Sequence, residues 1–139
     1  MKSFKFHIVL ILTVLICSLT PVLSSAQHIA DSSKKVNVIS QKKFKRQMNK
    51  ENVVILDVRT PEEYNSGNIP GSILINYKDS TFAKQVNALD KNKHYLVYCK
   101  SGNRSNKATQ YMLSNGFKRV DQLENGYAKW EKSSGKSSN

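Results

Sequence analysis

From residue 36 onward, short apolar runs alternate with stretches in which apolar residues recur at helical spacing. Val36-Asn-Val-Ile39 predicts a short strand, and Ser40 stands where a cap belongs, ahead of a helix whose apolar face carries Phe44 and Met48. Val53-Val-Ile-Leu-Asp-Val58 is a near-continuous run dominated by β-branched residues, as a parallel sheet covered on both faces requires. Thr60-Pro-Glu-Glu63 is a compact helix start. Thr60 caps, Pro61 takes the first helical position where its missing N–H costs nothing, and Glu63 can bond back. Tyr64 is expected to face inward, and Asn65-Ser66-Gly67 to end that turn. Ile69-Pro-Gly71 feeds a third strand over Ser72 to Asn76, after which Phe82, Val86 and Leu89 share one helix face. Tyr95 to Tyr98 predicts a fourth, buried strand. The helix that begins at Ser105 has Ala108, Tyr111 and Met112 on its buried side and stops at Asn115-Gly116. Val120 to Leu123 is the last strand, Asn125-Gly126 a turn, and Tyr127 to Lys132 a short helix whose Trp130 packs inward.

Strands alternating with helices predict an α/β fold with a central parallel sheet of about five strands flanked by helices, in one domain over residues 36–132. Ahead of it, residues 27–35 are a polar, flexible lead-in, and residues 133–139 are a low-complexity tail expected to be disordered. No internal repeat is present. Residues 1–26 have a different character. Lys2 and Lys5 are followed by the almost wholly apolar run Ile8 to Leu23 and by the small residues Ser24-Ser25-Ala26. This layout is that of a secretory signal cleaved after Ala26, and the expected location is periplasmic or secreted. The apolar run is short for a membrane span, so a membrane association is expected only if the segment stays uncleaved as an anchor.

The formal net charge is +12, with the cations spread along the chain. Such a surface concentrates small anions and acidic partners. Nucleic acid is not expected as a partner, since no recognised binding motif accompanies the charge and an export signal leads away from it. Cleavage also removes Cys17, which leaves Cys99 alone and unable to form an internal disulfide. An exported chain with one unpaired thiol suggests that the thiol is kept for its chemistry.

That thiol sits at the mouth of a polar loop, Cys99-Lys-Ser-Gly-Asn-Arg-Ser105, between a buried strand and a helix start. Backbone N–H groups of such a loop can converge on the sulfur, and the positive end of the helix dipole points at it. Lys100 and Arg104 act in the same direction and can hold an anionic substrate. All favour the thiolate, the nucleophilic form. In open parallel sheets, sites form outside the carboxyl ends of strands, which also places Asp57 and Arg59, after the second strand, at the same edge. Asp57 is expected chiefly to tie down a neighbouring loop. Arg59 either pairs with Asp57 or Glu62, or reaches the pocket.

Three stretches carry a resemblance. Ile55-Leu-Asp-Val-Arg-Thr-Pro-Glu-Glu-Tyr-Asn-Ser-Gly-Asn-Ile-Pro-Gly-Ser72 resembles the first signature of the rhodanese-like (thiosulfate sulfurtransferase) family. Tyr98-Cys-Lys-Ser-Gly-Asn-Arg-Ser105 is similar to that family's active-site loop, and Gly116 to Val120 with Leu123 to Trp130 to its closing segment. The likeness departs at Asn68, where the family often has histidine, and at Asn125, which replaces the first of two glycines. The resemblance implies that Cys99 carries a sulfane sulfur as a persulfide, taken from a donor such as thiosulfate and passed to a thiol or cyanide. It implies that the N–H groups of Lys100, Ser101, Gly102, Asn103, Arg104 and Ser105 cradle the charged sulfur, and that Lys100 and Arg104 bind the donor. A monomer is expected. No cofactor, metal or histidine base is called for. His28 and His94 are read as solvent-side residues.

Two other functions fit parts of the pattern. A phosphatase or arsenate reductase also uses a cysteine and an arginine around an anion-binding loop, but with five residues between them. Here there are four, and no aspartate is obviously placed as a general acid. A partner-binding or sulfur-carrier module without turnover shares the same fold, and fold alone does not separate it from an enzyme.

Overall fold

The computed structural model describes residues 35–134. The expected export signal with Cys17, most of the lead-in with His28, and residues 135–139 of the tail lie outside the described residues. Within them the elements alternate as β1 (Asn37–Ile39), α1 (Gln41–Met48), β2 (Val53–Asp57), α2 (Pro61–Asn65), β3 (Ser72–Leu74), α3 (Phe82–Asn87), β4 (His94–Tyr98), α4 (Asn103–Ser114), β5 (Arg119–Leu123) and α5 (Gly126–Ser134). The five strands form one sheet in the order β1-β5-β4-β2-β3, with every pairing parallel.

The sheet is covered on both faces, and the strand period of two sorts its side chains between two apolar clusters. Leu56, Val58, Tyr95, Val97 and Cys99 pack with Phe82 and Val86 of α3 and Ala108 and Met112 of α4. Ile55, Leu96 and Tyr98 pack with Phe44 of α1 and Trp130 of α5. Burial on both sides explains why β2 and β4 read as continuous apolar runs rather than alternating ones.

The caps follow the sequence. The Ser40 hydroxyl accepts from the Lys43 N–H at the start of α1. At α2, Thr60 and Glu63 form a reciprocal capping box with Pro61 in the first turn, worth about 1 kcal/mol for the cap alone. Gly116 takes φ +88° after α4, the left-handed stop expected of it.

Several expectations change. The third strand ends at Leu74 rather than Asn76, and α3 ends at Asn87, short of Leu89. His94 is not at the solvent side: it opens β4, is buried, and its Nε2 lies 2.9 Å from Asp121 Oδ2 on the neighbouring β5. Its polar neighbours Lys93 and Asn92 hid that burial in the sequence. Helix α4 begins at Asn103 rather than Ser105, because Gly102 supplies the N-cap with φ +107°. The last helix continues through Ser134, where the tail was expected from Ser133; the Ser133 hydroxyl donates to the Trp130 carbonyl and accepts from Gln41 Nε2.

Candidate active site

The site lies where the strand order reverses. Strands β2 and β4 are neighbours, with Asp57 opposite Tyr98 at their carboxyl ends. The chain leaves β2 toward β3 on one side and leaves β4 toward β5 on the other. The two connections part over opposite faces of the sheet and open a crevice between them, the usual place for a ligand in such folds. Cys99 follows β4 at that point, and the loop 99–102 delivers the chain to the N-terminus of α4.

Helix α5 shapes this loop from outside. Its first N–H groups have no partners within the helix, and two of them take loop carbonyls: Tyr127 N–H donates to Cys99 O at 2.8 Å and Ala128 N–H to Lys100 O at 3.0 Å. These bonds turn the carbonyls away from the sulfur. The approach is so close that a Cβ on Gly126 would lie 2.4 Å from Cys99 O, which excludes any other residue without a shift of backbone. Asn125 adopts φ +58°, a conformation that asparagine tolerates better than most residues, so the turn keeps its form where the family's first glycine is replaced.

The loop's polar groups converge on Cys99 Sγ. Gly102 N–H donates to it at 3.1 Å, and the Ser105 hydroxyl lies 3.4 Å away. Burial by itself raises the thiol's pKa. The Ser105 hydroxyl and the N–H groups of Ser105, Gly102 and Ser101 outweigh that effect and bring the pKa below its ordinary value. Cys99 is nearly enclosed, at 1% exposure, so a reacting molecule meets its sulfur only through a slender end.

The cations divide in a way that residue types alone did not show. Arg104 is held by Glu63 of α2 in a two-pronged pair, Nη1 to Oε2 at 2.6 Å and Nη2 to Oε1 at 2.8 Å. Its expected partner was a substrate anion; instead it fastens α4 to α2. The hydrogen bonds from Arg104 hold the Glu63 carboxyl down to about 2. Arg59 does both things expected of it as alternatives, pairing with Asp57 and lining the hollow beside Lys100. Its Nε and Nη2 donate to the Asp57 carboxylate at 2.9 and 2.7 Å, both groups being buried, and Nη2 also donates to Gly67 O at 2.6 Å. The guanidinium lies 4.1 Å from the centre of the Tyr127 ring. Asp57 therefore anchors Arg59, and Arg59 braces the start of α5 that orients the cysteine loop. Lys100, exposed and with no ion pair among the described residues, borders a hollow of about 180 Å³ shared with Arg59, Glu63, Ser66, Tyr127 and Glu131. Ser101 and Asn103 are exposed on the rim, and the Ser105 side chain is buried beneath the loop.

Four positioning residues escaped the sequence reading in this role: Glu63, read only as a cap; Gln122, whose Nε2 donates to Gly102 O at 2.8 Å; and Gly126 with Tyr127, read as a turn and a helix start. Only Glu63 carried a usable signal, since an acid in the capping box is a short reach from any cation of a neighbouring loop. Among the described residues, no cluster of three or more histidine, cysteine, aspartate or glutamate side chains is arranged to hold a metal ion.

Fold and loop together define an α/β domain with a five-stranded parallel sheet and a polar loop closed around a cysteine sulfur. Residues 40–133 match the family model described as Rhodanese-like domain, and the chain belongs to that family. It is 35% identical over 101 residues to a tRNA uridine(34) hydroxylase of Pelagibacter ubique, covering 70% of this chain and 33% of that protein. It is 38% identical over 87 residues to thiosulfate sulfurtransferase 16 (chloroplastic) of Arabidopsis thaliana, covering 55% of this chain and 72% of that one. The chain thus spans about a third of the hydroxylase it matches. A crystal structure of a rhodanese-like domain protein from Staphylococcus aureus superposes with a TM-score of 0.61 at 32% identity, over 68% of this chain and 91% of that one.

Proposed function

We propose that the protein is a thiosulfate-type sulfurtransferase in which Cys99 is the sulfur carrier. The Cys99 thiolate attacks the outer sulfur of thiosulfate, forming an S–S bond as the bond to the sulfonate breaks, and sulfite leaves with the electron pair. A nucleophilic acceptor, cyanide or a small thiol, then attacks the outer sulfur of the persulfide and returns Cys99 as the thiolate. No proton has to be removed from a thiolate, so the chemistry needs anion stabilisation and not a base. The reading rests on one observation above all, the convergence of Gly102 N–H and the Ser105 hydroxyl on a nearly enclosed Sγ. Lys100, which borders the hollow and has no ion pair among the described residues, is the group that meets the donor's anionic end, with Arg104 shaping the loop behind it.

The same geometry disfavours phosphoryl transfer. The arginine that such an enzyme aims at its oxyanion is committed here to Glu63, and a tetrahedral phosphorus is a poor fit to a sulfur so little exposed. In the cell, the protein acts outside the cytoplasm, as a monomer, after loss of residues 1–26. The test is turnover: thiocyanate formed from thiosulfate and cyanide by the purified protein, and abolished in Cys99→Ser, whose hydroxyl is neither ionised near neutral pH nor able to store a sulfane sulfur. Absence of thiocyanate together with ready hydrolysis of an aryl phosphate would reverse the assignment. A stable persulfide without turnover would make the protein a carrier loaded and emptied by other proteins.

A further inference from the structure

The Gly102 carbonyl is overcommitted. Three donors reach it: Asn106 N–H at 2.9 Å, Gln122 Nε2 at 2.8 Å and the Ser105 hydroxyl at 3.0 Å. A carbonyl oxygen has two lone pairs, so two of these donors satisfy it. The Asn106 N–H is fixed by the first turn of α4. Gln122 is buried at 5% exposure, and its own Oε1 accepts from Asn106 Nδ2 at 3.4 Å, which orients the amide with its NH₂ toward Gly102. Ser105 alone has a choice, because its hydroxyl also lies 3.4 Å from Cys99 Sγ and carries one proton.

We propose that Gln122 is a positioning residue for Cys99: by filling the second lone pair of the Gly102 carbonyl, it releases the Ser105 hydroxyl proton to the sulfur. The inference rests on the reading of Cys99 as the reactive sulfur. The device works as a rotor. When Cys99 is a thiolate, the Ser105 O–H turns to the anion, since a bond to a charged acceptor outweighs a third, crowded bond to a carbonyl. When sulfur is a neutral thiol, and a weak acceptor, the same O–H turns back to Gly102 O. Without the Gln122 donor, the carbonyl has a vacant lone pair that competes for the proton in both states, and the thiolate loses support. Gln122 touches neither sulfur nor substrate, and acts only through Gly102 and Ser105.

The test measures the ionisation of Cys99 without asking for sulfur transfer, so its outcome is separate from that of the proposed function. The full chain is alkylated with iodoacetamide over a range of pH, and the rate at Cys99 is read from its peptide by mass, apart from Cys17. Gln122→Met keeps the side chain's length and removes its donor. The apparent pKa of Cys99 is expected to rise by roughly half to one unit, the equivalent of one ordinary hydrogen bond. In Ser105→Ala the same Gln122→Met change is expected to shift it little, because the proton being redirected is gone. If Gln122→Met does not fold, Gln122→Asn, one methylene too short to reach Gly102 O, reads the same shift. An unchanged pKa in the Gln122 variants overturns the proposal, and so does an equal shift with and without Ser105.

Discussion

Adding one methyl group at Gly126 tests how the cysteine loop is held. The glycine has φ +60°, and a Cβ there would lie 2.4 Å from Cys99 O and 2.7 Å from the carbonyl carbon and oxygen of Lys100. Gly126→Ala therefore meets two costs. The left-handed conformation costs an L-residue about 1–2 kcal/mol, of which roughly 0.4–1 kcal/mol is offset by the stiffer unfolded chain. The collision with backbone that cannot rotate away adds about 1–3 kcal/mol, as overpacking does elsewhere. Gly71 separates the two, because it has φ +78° but nothing within 4 Å of its would-be Cβ. Gly71→Ala should lose roughly 0–1.5 kcal/mol by the first effect alone, and Gly126→Ala about 1–4 kcal/mol by both. Urea denaturation reads the difference as a lower midpoint at unchanged slope. Relief of the collision pushes the Cys99 and Lys100 carbonyls off the N-terminus of α5, so the alkylation profile of Cys99 should also move to higher pH in Gly126→Ala and not in Gly71→Ala. Equal stability losses with an unmoved profile in both variants would refute the claim that α5 shapes the loop.

Two further outcomes follow from the ion pairs. Arg104 lowers the Glu63 carboxyl from its ordinary 4.5 to about 2, so this pair stabilises the fold above pH 4.5 and its contribution is lost as pH falls from there toward 2; acid unfolding of Glu63→Gln should lack that part of the pH dependence, and an identical acid limb would count against the pairing. Arg59→Met strands the Asp57 carboxylate in the core and should cost about 3–5 kcal/mol in equilibrium unfolding, with Asp57→Asn added to it recovering part; a loss below about 1 kcal/mol would show that the buried pair is not what braces this edge.

Local rules carried far in this chain because they agree with one another. The β-branched run at Val53–Val58, the capping box at Thr60–Glu63 and the glycine stop at Gly116 each depend on residues within a few positions, and each stands where the sequence puts it. Cys99 and its loop were legible for the same reason, since a strand, a glycine and a helix start are contiguous there. What the sequence concealed is the pairing of groups far apart along it. Arg104 meets Glu63 across 41 positions, and Gln122 meets Gly102 across 20. An acid in the capping box hints at a cation partner, but the string of residues does not say which of Lys100 and Arg104 it takes and which it leaves. His94 was misjudged similarly: its burial depends on Asp121 of β5 lying beside it, a consequence of sheet order rather than of its neighbours in sequence.

Uptake of a sulfane sulfur by Cys99 is read without any acceptor from the intact-protein mass after incubation with thiosulfate. The expected result is a gain of one sulfur atom, located on the Cys99 peptide, removed by cyanide and absent from Cys99→Ser. A protein that stays at its original mass under those conditions, or that gains sulfur equally well without the Cys99 thiol, would contradict it.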